Sequence, residues 1–283
     1  MSILITGSGG FLGRNLTEYF QSKYDDVYCP RSTELNLADD QAVHDYLKKY
    51  GFDAVIHCAV THASVEQNIR MYFNIERCSG SFGKMLCIGS GAEFDKKNYV
   101  PKMKEEYFGK HVPSDIYGFS KYVIAKDIEA RHRNIFNLRL FGVYGKYEDY
   151  KRRFISNNIC RALSNLNISI NRNMLFDYLY VDDFSRIADM FIKKSPKQRS
   201  YNICSGKSID LMTFAGIIKE IDGKGLPITV KQDGLDTEYT ADNTRFLKEF
   251  GDFDFTEPRK AISELYMWYK DPKNITFDEK EFS

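Results

Sequence analysis

Residues 3–13 read ILITGSGGFLG. Ile3, Leu4 and Ile5 form a short apolar run, as expected of a strand buried on both faces. Gly7, Gly10 and Gly13 follow at fixed offsets, and Phe11, Leu12, Leu16, Tyr19 and Phe20 then recur along one side of a helix. A glycine motif gains weight in this strand–turn–helix setting. Gly7 lets the chain turn sharply, Gly10 lets a pyrophosphate reach the backbone, and Gly13 lets the helix pack close to the sheet. The phosphates would lie at the helix N-terminus, where free N–H groups and the macrodipole favour negative charge. The spacing is G-x-x-G-x-x-G, with Gly9 as a fourth glycine. A glycine-rich turn without a ligand is the plain alternative, and the place directly behind a strand disfavours it.

Outward from this stretch, strand and helix patterns alternate. Strands are expected at 2–6, 26–29, 53–58, 84–89 and 135–140, and helices at 11–23, 39–50, 64–81 and 117–133. Asp39 is expected to cap one helix and Gly51 to end it. The rhythm predicts an α/β fold, a Rossmann-type doubly wound parallel sheet with helices on both faces. The second half differs. After a polar stretch at 146–153, it predicts helices at 154–164 and 208–220, strands at 176–181 and 227–231, and a helix at 244–250. Val181-Asp182-Asp183 would open another helix with an Asp as N-cap, and Pro258 falls in the first turn of a last helix. Residues 271–283 read as a loose acidic tail. We expect a dinucleotide-binding domain over 1–150. Residues 151–283 would mostly form a smaller C-terminal α/β substrate lobe, with some segments returning to the sheet and the ligand in the crevice between.

The chain has 283 residues and a net charge of +1, so it carries no electrostatic footprint for nucleic acid or an acidic membrane. Lys151-Arg152-Arg153 reads as a solvated loop. The six cysteines are scattered without a CxxC pair, which is the usage of a reducing compartment. No leader pattern and no membrane-length apolar run is seen, so a soluble cytoplasmic protein is expected.

A NAD site wants an acidic residue at the end of strand two to hold the ribose 2′-OH. Here that region reads Tyr28-Cys29-Pro30-Arg31-Ser32, and Asp25 and Asp26 fall before the strand. Arg31 and Ser32 stand where a 2′-phosphate would, and Arg14 adds a second cation. NADP(H) is therefore expected over NAD, with surface charge as the bland reading of both arginines.

Tyr117-Gly118-Phe119-Ser120-Lys121 is a Y-x-x-x-K pair opening a helix, and its i, i+4 spacing puts phenol and ammonium on one face. A tyrosine hydroxyl needs about 4 kcal/mol to act as an acid–base group near neutral pH. A cation about 4 Å away supplies roughly that at an effective dielectric near 20. Ser90 follows the strand Met85–Gly89, where a hydroxyl faces the crevice and can polarise a carbonyl. Each signal is weak alone, a turn serine or a chance pair. The glycine turn, Ser90 and Tyr117/Lys121 in this order are far more specific. His57 and His62 lack partners for a metal site, so no metal is expected. Asp182 and Asp183 read as a helix start, and no G-x-S-x-G is present.

Across residues 2–270 the chain resembles the extended short-chain dehydrogenase/reductases of the epimerase/dehydratase family. The motifs are TGSGGFLG at 6–13, IHCA at 56–59, the serine at 90, YGFSK at 117–121, LRLFGVYG at 138–145 and YVDD at 180–183. Within it, residues 31–47 and GSGAEF at 89–94 are similar to 4-keto sugar reductases of the GDP-fucose synthase and CDP-abequose synthase types. The resemblance implies Ser90, Tyr117 and Lys121 as the catalytic triad. It puts Asn36, Leu37, Ala59 and Val60 around adenine and ribose, and Leu140 and Phe141 near the nicotinamide. It also implies a homodimer, and a CDP-, GDP- or dTDP-linked keto sugar used for surface polysaccharide.

Departures narrow the activity. The dehydratases' Asp-Glu pair is Gly91-Ala92 here, and the epimerising Cys and His are Ala92 and Asn158, neither able to move a carbon-bound proton. An arginine expected before YVDD is Phe176, leaving Arg161, Arg172 or Arg245 to hold the pyrophosphate. NADPH-dependent reduction of a nucleotide-linked 4-keto sugar is the expected activity. The alternatives are an NAD-dependent 4-epimerase and a non-catalytic NADP-binding regulator.

Overall fold

The structure, a computed structural model, describes residues 1–131 and 134–275. In chain order, the first half forms β1 (Ile3–Thr6), α1 (Phe11–Gln21), β2 (Val27–Tyr28), α2 (Asp40–Tyr50), β3 (Ala54–His57), α3 (Val65–Glu76), β4 (Lys84–Ser90), α4 (Ile116–Arg131), β5 (Ile135–Leu140) and β6 (Gly142–Tyr144). The second half forms α5 (Phe154–Leu163), β7 (Ile168–Asn173), β8 (Leu175–Phe176), β9 (Tyr178–Tyr180), α6 (Val181–Lys193), β10 (Ser200–Ile203), β11 (Ile209–Asp210), α7 (Leu211–Asp222), β12 (Ile228–Leu235), α8 (Thr244–Phe250) and α9 (Pro258–Lys270).

Alternation along the strands builds two cores. Ile3, Ile5, Ala54, Ile56, Leu86, Ile88, Phe136 and Leu138 point to one face and meet Leu16 and Phe20 of α1, Phe184 and Phe191 of α6 and Phe246 of α8. Leu4, Val55, Met85, Cys87 and Ile135 point to the other and meet Val43 and Leu47 of α2, Tyr72 and Ile75 of α3 and Ile124 and Ile128 of α4. Each large side chain buried this way contributes roughly 1.5–3 kcal/mol. The resulting sheet is parallel throughout, in the order β2-β1-β3-β4-β5-β10. The order reverses between β1 and β3, and a doubly wound sheet opens its crevice beyond the strand ends at such a point. Asp39 caps α2 by accepting the Ala42 N–H, and Gly51 ends it at φ 59°.

The lobe packs α5, α7 and α9 around a third core that includes Ile155, Ile159, Phe214, Ile218, Ile262 and Leu265. Its strands form three two-stranded ribbons, β7 with β12, β8 with β11 and β6 with β9.

The second half departs from expectation in several places. β10 was unforeseen: it pairs with β5 and completes the main sheet. The strand expected at 176–181 is two strands, because Asp177 between them turns inward to accept from Ser205 N and Oγ and from Gly206 N. No Asp caps α6. Tyr180 is its N-cap without a side-chain bond, and Asp183 accepts instead from Thr256 N and Oγ1. α7 starts at Leu211, where Asp210 caps it through the Thr213 N–H, and β12 runs on to Leu235. Of the tail expected at 271–283, residues 276–283 lie outside the described residues. No helix among the described residues is long and apolar enough to cross a membrane, and all six cysteines are free.

Candidate active site

The carboxyl ends of β1, β3, β4 and β5 bring four chain segments together. Gly7 turns the chain after β1 at φ 70°, and a Cβ there would come within 2.6 Å of Ala59 N after β3. A Cβ on Gly13 would overlap the Gly7 carbonyl. These two glycines are required by the protein's own packing. Gly9 and Gly10 are not: a Cβ on Gly9 would meet nothing within 4 Å, and one on Gly10 only Gly7 O at 3.5 Å. Gly10 is the N-cap of α1, with no side-chain cap and no acidic residue in the first turn, before Phe11, Leu12 and Arg14. Open space over uncapped N–H groups fits a dinucleotide pyrophosphate.

Around this turn, the Ser8 hydroxyl donates to Cys29 O at the end of β2. The Arg31 and Ser32 side chains are exposed and make no hydrogen bond or ion pair with the described residues. Arg14 lies instead over the Tyr147 ring at 5.0 Å. Asn36 accepts from Ala38 N, and Asn74 Nδ2 donates to Leu37 O, which folds the 31–39 loop against α3. Val60 is exposed beside Ala59, Leu140 is in the core and Phe141 is half-buried.

The three residues expected to react, Ser90, Tyr117 and Lys121, sit on β4 and α4. Gly118, in the first turn of α4, would have a Cβ 2.5 Å from Ala92 O, so its lack of a side chain lets α4 close onto the turn after Ser90. The Ser90 hydroxyl accepts the Ala92 N–H at 3.1 Å, which leaves its own hydrogen to donate. Tyr117 is half-buried, with the His62 ring 4.7 Å away. Lys121 is buried with Nζ 5.9 Å from the Tyr117 ring centroid, and it donates to Ile88 O at 2.6 Å. His57 bonds the Thr6 hydroxyl, and burial, then the Lys121 charge, lower its pKa to about 3. It is neutral at physiological pH. Among the described residues no group of three or more His, Cys, Asp or Glu could hold a metal.

Under Ser90 lies a buried polar network. Glu93 Oε1 accepts the Ser90 N–H at 2.9 Å. Its Oε2 accepts from Asn137 Nδ2 at 2.9 Å and Arg139 Nε at 2.7 Å. Arg139 is fully buried, its guanidinium lies 4.8 Å from the Phe94 and Phe108 rings, and its Nη1 donates to Asn202. Sequence reasoning missed Glu93 and Arg139, because a glutamate three residues after Ser90 carries no local signal of a partner 46 residues away.

The substrate candidates fall in different places. Gly91 and Ala92 line the turn after Ser90. Asn158 is buried and pins α5 to β7, accepting from Ser169 N and donating to Ser169 O. Arg161 Nε donates to Asn167 O in the turn between these elements. Arg245 donates to Ser200 O and pairs with Glu105 and Glu106, at the amino end of β10 and away from the crevice. Arg172, on β7, has a buried Nε without a partner among the described residues. Phe176 stacks on Tyr178 at 4.2 Å and lies tilted against Tyr239 at 5.1 Å. Arg153, set aside above as loop charge, is the N-cap of α5 and exposed. It forms no ion pair with the described residues, yet lies near enough to Tyr178, Tyr239 and Glu148 to favour their ionised forms.

A glycine turn with open, uncapped N–H groups and the expected Ser90, Tyr117 and Lys121 at neighbouring elements fit an oxidoreductase of the short-chain dehydrogenase/reductase kind. The sequence pattern of the NAD dependent epimerase/dehydratase family matches residues 3–204, and the chain belongs to that family. GDP-L-colitose synthase of Yersinia pseudotuberculosis is 21% identical to it, covering 97% of this chain and 99% of its own. Two solved structures share the fold. GDP-L-fucose synthetase from Naegleria fowleri has a TM-score of 0.81 at 18% identity, over 95% of this chain and 92% of that one. GDP-mannoheptose C4 reductase from Campylobacter jejuni, with NADP bound, has 0.80 at 20% identity, over 95% and 98%.

Proposed function

We propose that the protein is an NADPH-dependent reductase of the 4-keto group of a nucleotide-linked deoxysugar. One observation carries this reading. Gly118 lets the Tyr117/Lys121 turn of α4 close onto the turn after Ser90, Lys121 donates to Ile88 O of the same strand, and the positions at which the resemblance puts carbon acid–base groups are Gly91, Ala92 and Asn158 in this chain, which supports the reading. The site can stabilise and protonate an oxygen, and it has no side chain at those positions to move a proton on carbon.

When bound, the reduced nicotinamide supplies the hydride. Gly10 and the α1 N-terminus receive the pyrophosphate. Arg31 and Ser32 receive the 2′-phosphate, while the loop at Asn36 and Leu37 and the segment at Ala59 and Val60 flank the adenosine. Leu140 and Phe141 border the nicotinamide. The Ser90 hydroxyl donates to the keto oxygen and polarises it. Tyr117 donates to the same oxygen and transfers its proton as the alcohol forms. Lys121, held by Ile88 O, balances the charge left on the phenol. Arg153 is our choice for the substrate phosphates, because its guanidinium has no partner among the described residues and Phe176 is not a cation. The relatives with GDP in their names support a GDP-linked substrate first, with CDP and dTDP sugars to be compared. The same reading takes the protein to be a cytoplasmic homodimer that supplies surface polysaccharide.

NADPH oxidation with GDP-, CDP- and dTDP-linked 4-keto-6-deoxy sugars tests the proposal. Tyr117→Phe is expected to lose about 10²–10⁴ in kcat while binding NADPH as the wild type does. Full activity in that variant would overturn the role of Tyr117. Tight, non-exchanging NAD with product epimerised and no net oxidation would point to the epimerase. NADPH binding with no oxidation of any keto sugar would point to the regulator.

A further inference from the structure

One hydroxyl beside the reaction centre has no role in the mechanism above. Tyr239 follows β12, and its backbone is clipped to β8. Its N–H donates to Leu175 O at 2.9 Å, and its O accepts the Asp177 N–H at 3.1 Å. The rings of Tyr99, Phe176 and Phe141 pack around it with centroids at 5.0, 5.1 and 5.5 Å, so both the position and the tilt of the phenol are determined by packing. Its hydroxyl end arrives over Gly91, the residue after Ser90, where any Cβ would overlap the Tyr239 oxygen.

The neighbouring Tyr99 spends its hydroxyl on Thr240 O at 3.0 Å. The Tyr239 hydroxyl, on a half-buried side chain, has no hydrogen-bond partner among the described residues. The oxygen is held in place by the rings around it yet stays open to solvent, so it is positioned and available for a ligand atom. Burial, then the nearby Tyr117 and Glu93, push its phenol above the ordinary tyrosine range, so it keeps its proton and can only offer it or accept. The sheet side of the crevice presents Ser90 and Tyr117, and the lobe side presents Tyr239 one residue further on.

We propose that Tyr239 is a substrate-contacting, specificity-determining residue, whose hydroxyl donates a hydrogen bond to an oxygen of the sugar beside the carbonyl that is reduced. This rests on the reductase reading above. The Phe141 ring borders the same position over Gly91, with Phe176 beside the Tyr239 ring, and the two offer an apolar surface to the C–H edge of a deoxygenated sugar. The substrate class sharpens accordingly: a keto sugar with an oxygen next to the keto carbon and a deoxygenated edge elsewhere.

The test compares wild type, Tyr239→Phe and Tyr239→Ala with GDP-4-keto-6-deoxymannose and dTDP-4-keto-6-deoxyglucose. It measures NADPH oxidation, NADPH affinity by fluorescence, and the thermal shift given by each sugar with NADP⁺ present. For Tyr239→Phe we expect KM to rise at least tenfold and the sugar-induced shift to shrink, with NADPH affinity and melting temperature unchanged. Tyr239→Ala should lose more, because the ring goes too. Wild-type KM and shift in Tyr239→Phe overturn the contact and leave the reductase reading standing. Equal loss of NADPH affinity overturns it in favour of a role at the cofactor. Sugar binding by the wild type that shrinks in Tyr239→Phe, without turnover, upholds the contact and overturns the reductase. Neither binding nor turnover of either sugar by the wild type overturns both.

Discussion

Two buried glutamates, one under the sheet side of the crevice and one in the lobe, are treated in opposite ways. Glu93 accepts three hydrogen bonds, from Ser90 N, Asn137 Nδ2 and Arg139 Nε, with a full guanidinium as countercharge. Glu148 has the Ser156 hydroxyl at 2.6 Å and only the more distant charge of Arg153, and burial raises its pKa to about 8. The sheet half surrounds its carboxyl with donors and a guanidinium beneath Ser90. The lobe takes in a carboxyl by neutralising it. The paired charge lies under the Ser90 turn, and the lobe side of the crevice presents the rings of Phe176 and Tyr239.

The largest effect expected from breaking this contrast is at Glu93. Glu93→Ala leaves Arg139 fully buried without its carboxylate, and removing one partner of a buried pair costs about 3–5 kcal/mol. Urea unfolding should read this as a lower midpoint at an unchanged slope. Glu93→Gln, which keeps an acceptor for the Ser90 N–H, should hold more activity than Glu93→Ala for the same folded fraction. A cost below about 1 kcal/mol would mean that the Phe94 and Phe108 rings, Asn202 and the Glu129 carboxylate 4.0 Å away are sufficient for Arg139, and the contrast with the lobe would lose its basis.

Glu148 should answer through pH. Its folded value, about 8, lies above the ordinary 4.5, so the folded state holds a proton that the unfolded chain gives up over that interval. The stability it contributes is fully present below pH 4.5 and is lost as pH rises through 8, with a slope of up to about 1.4 kcal/mol per pH unit between. Glu148→Gln removes the titration and keeps an oxygen for Ser156. Its unfolding free energy should therefore fall less than that of the wild type between pH 5 and 8. Parallel curves would show Glu148 ionised in the fold, with Arg153 as its partner, and the two glutamates would then be alike.

The same division runs through what could be read from the chain alone. The glycine turn, Ser90 and the Tyr117/Lys121 pair were legible because each is a spacing within one strand, turn or helix, and period fixes which way such residues face. The parallel sheet followed from strand–helix alternation, and β5 lies where the pattern put it. In the lobe, strands of two or three residues are too short to show a period, and β8 and β9 were read as one. β10 escaped notice because Ser200 and Asn202 break its apolar run, although both are buried. Arg161 and Arg245 were chosen for charge alone, and charge does not say which end of a strand a side chain reaches. Tyr239 arrives by the clip to β8 across more than 60 residues, and no local pattern announces it.

The smallest effect separates, within the opening turn, what the protein needs from what a ligand needs. Gly13→Ala would drive a Cβ into the Gly7 carbonyl, a backbone atom that cannot swing aside. Overpacking of this kind costs about 1–3 kcal/mol, and a thermal melt without cofactor should show it. Gly10→Ala meets only Gly7 O at 3.5 Å, an ordinary contact. As an N-cap change from glycine it should cost no more than about 1 kcal/mol. The methyl would occupy the space over the first N–H groups of α1, so NADPH affinity should fall at least tenfold, about 1.4 kcal/mol. Fluorescence titration on both variants, each corrected for its folded fraction, gives the comparison. If Gly10→Ala binds NADPH as tightly as the wild type, the open space above Gly9 and Gly10 is not where the pyrophosphate lies, and the cradle must be sought elsewhere along the β1/β3 reversal.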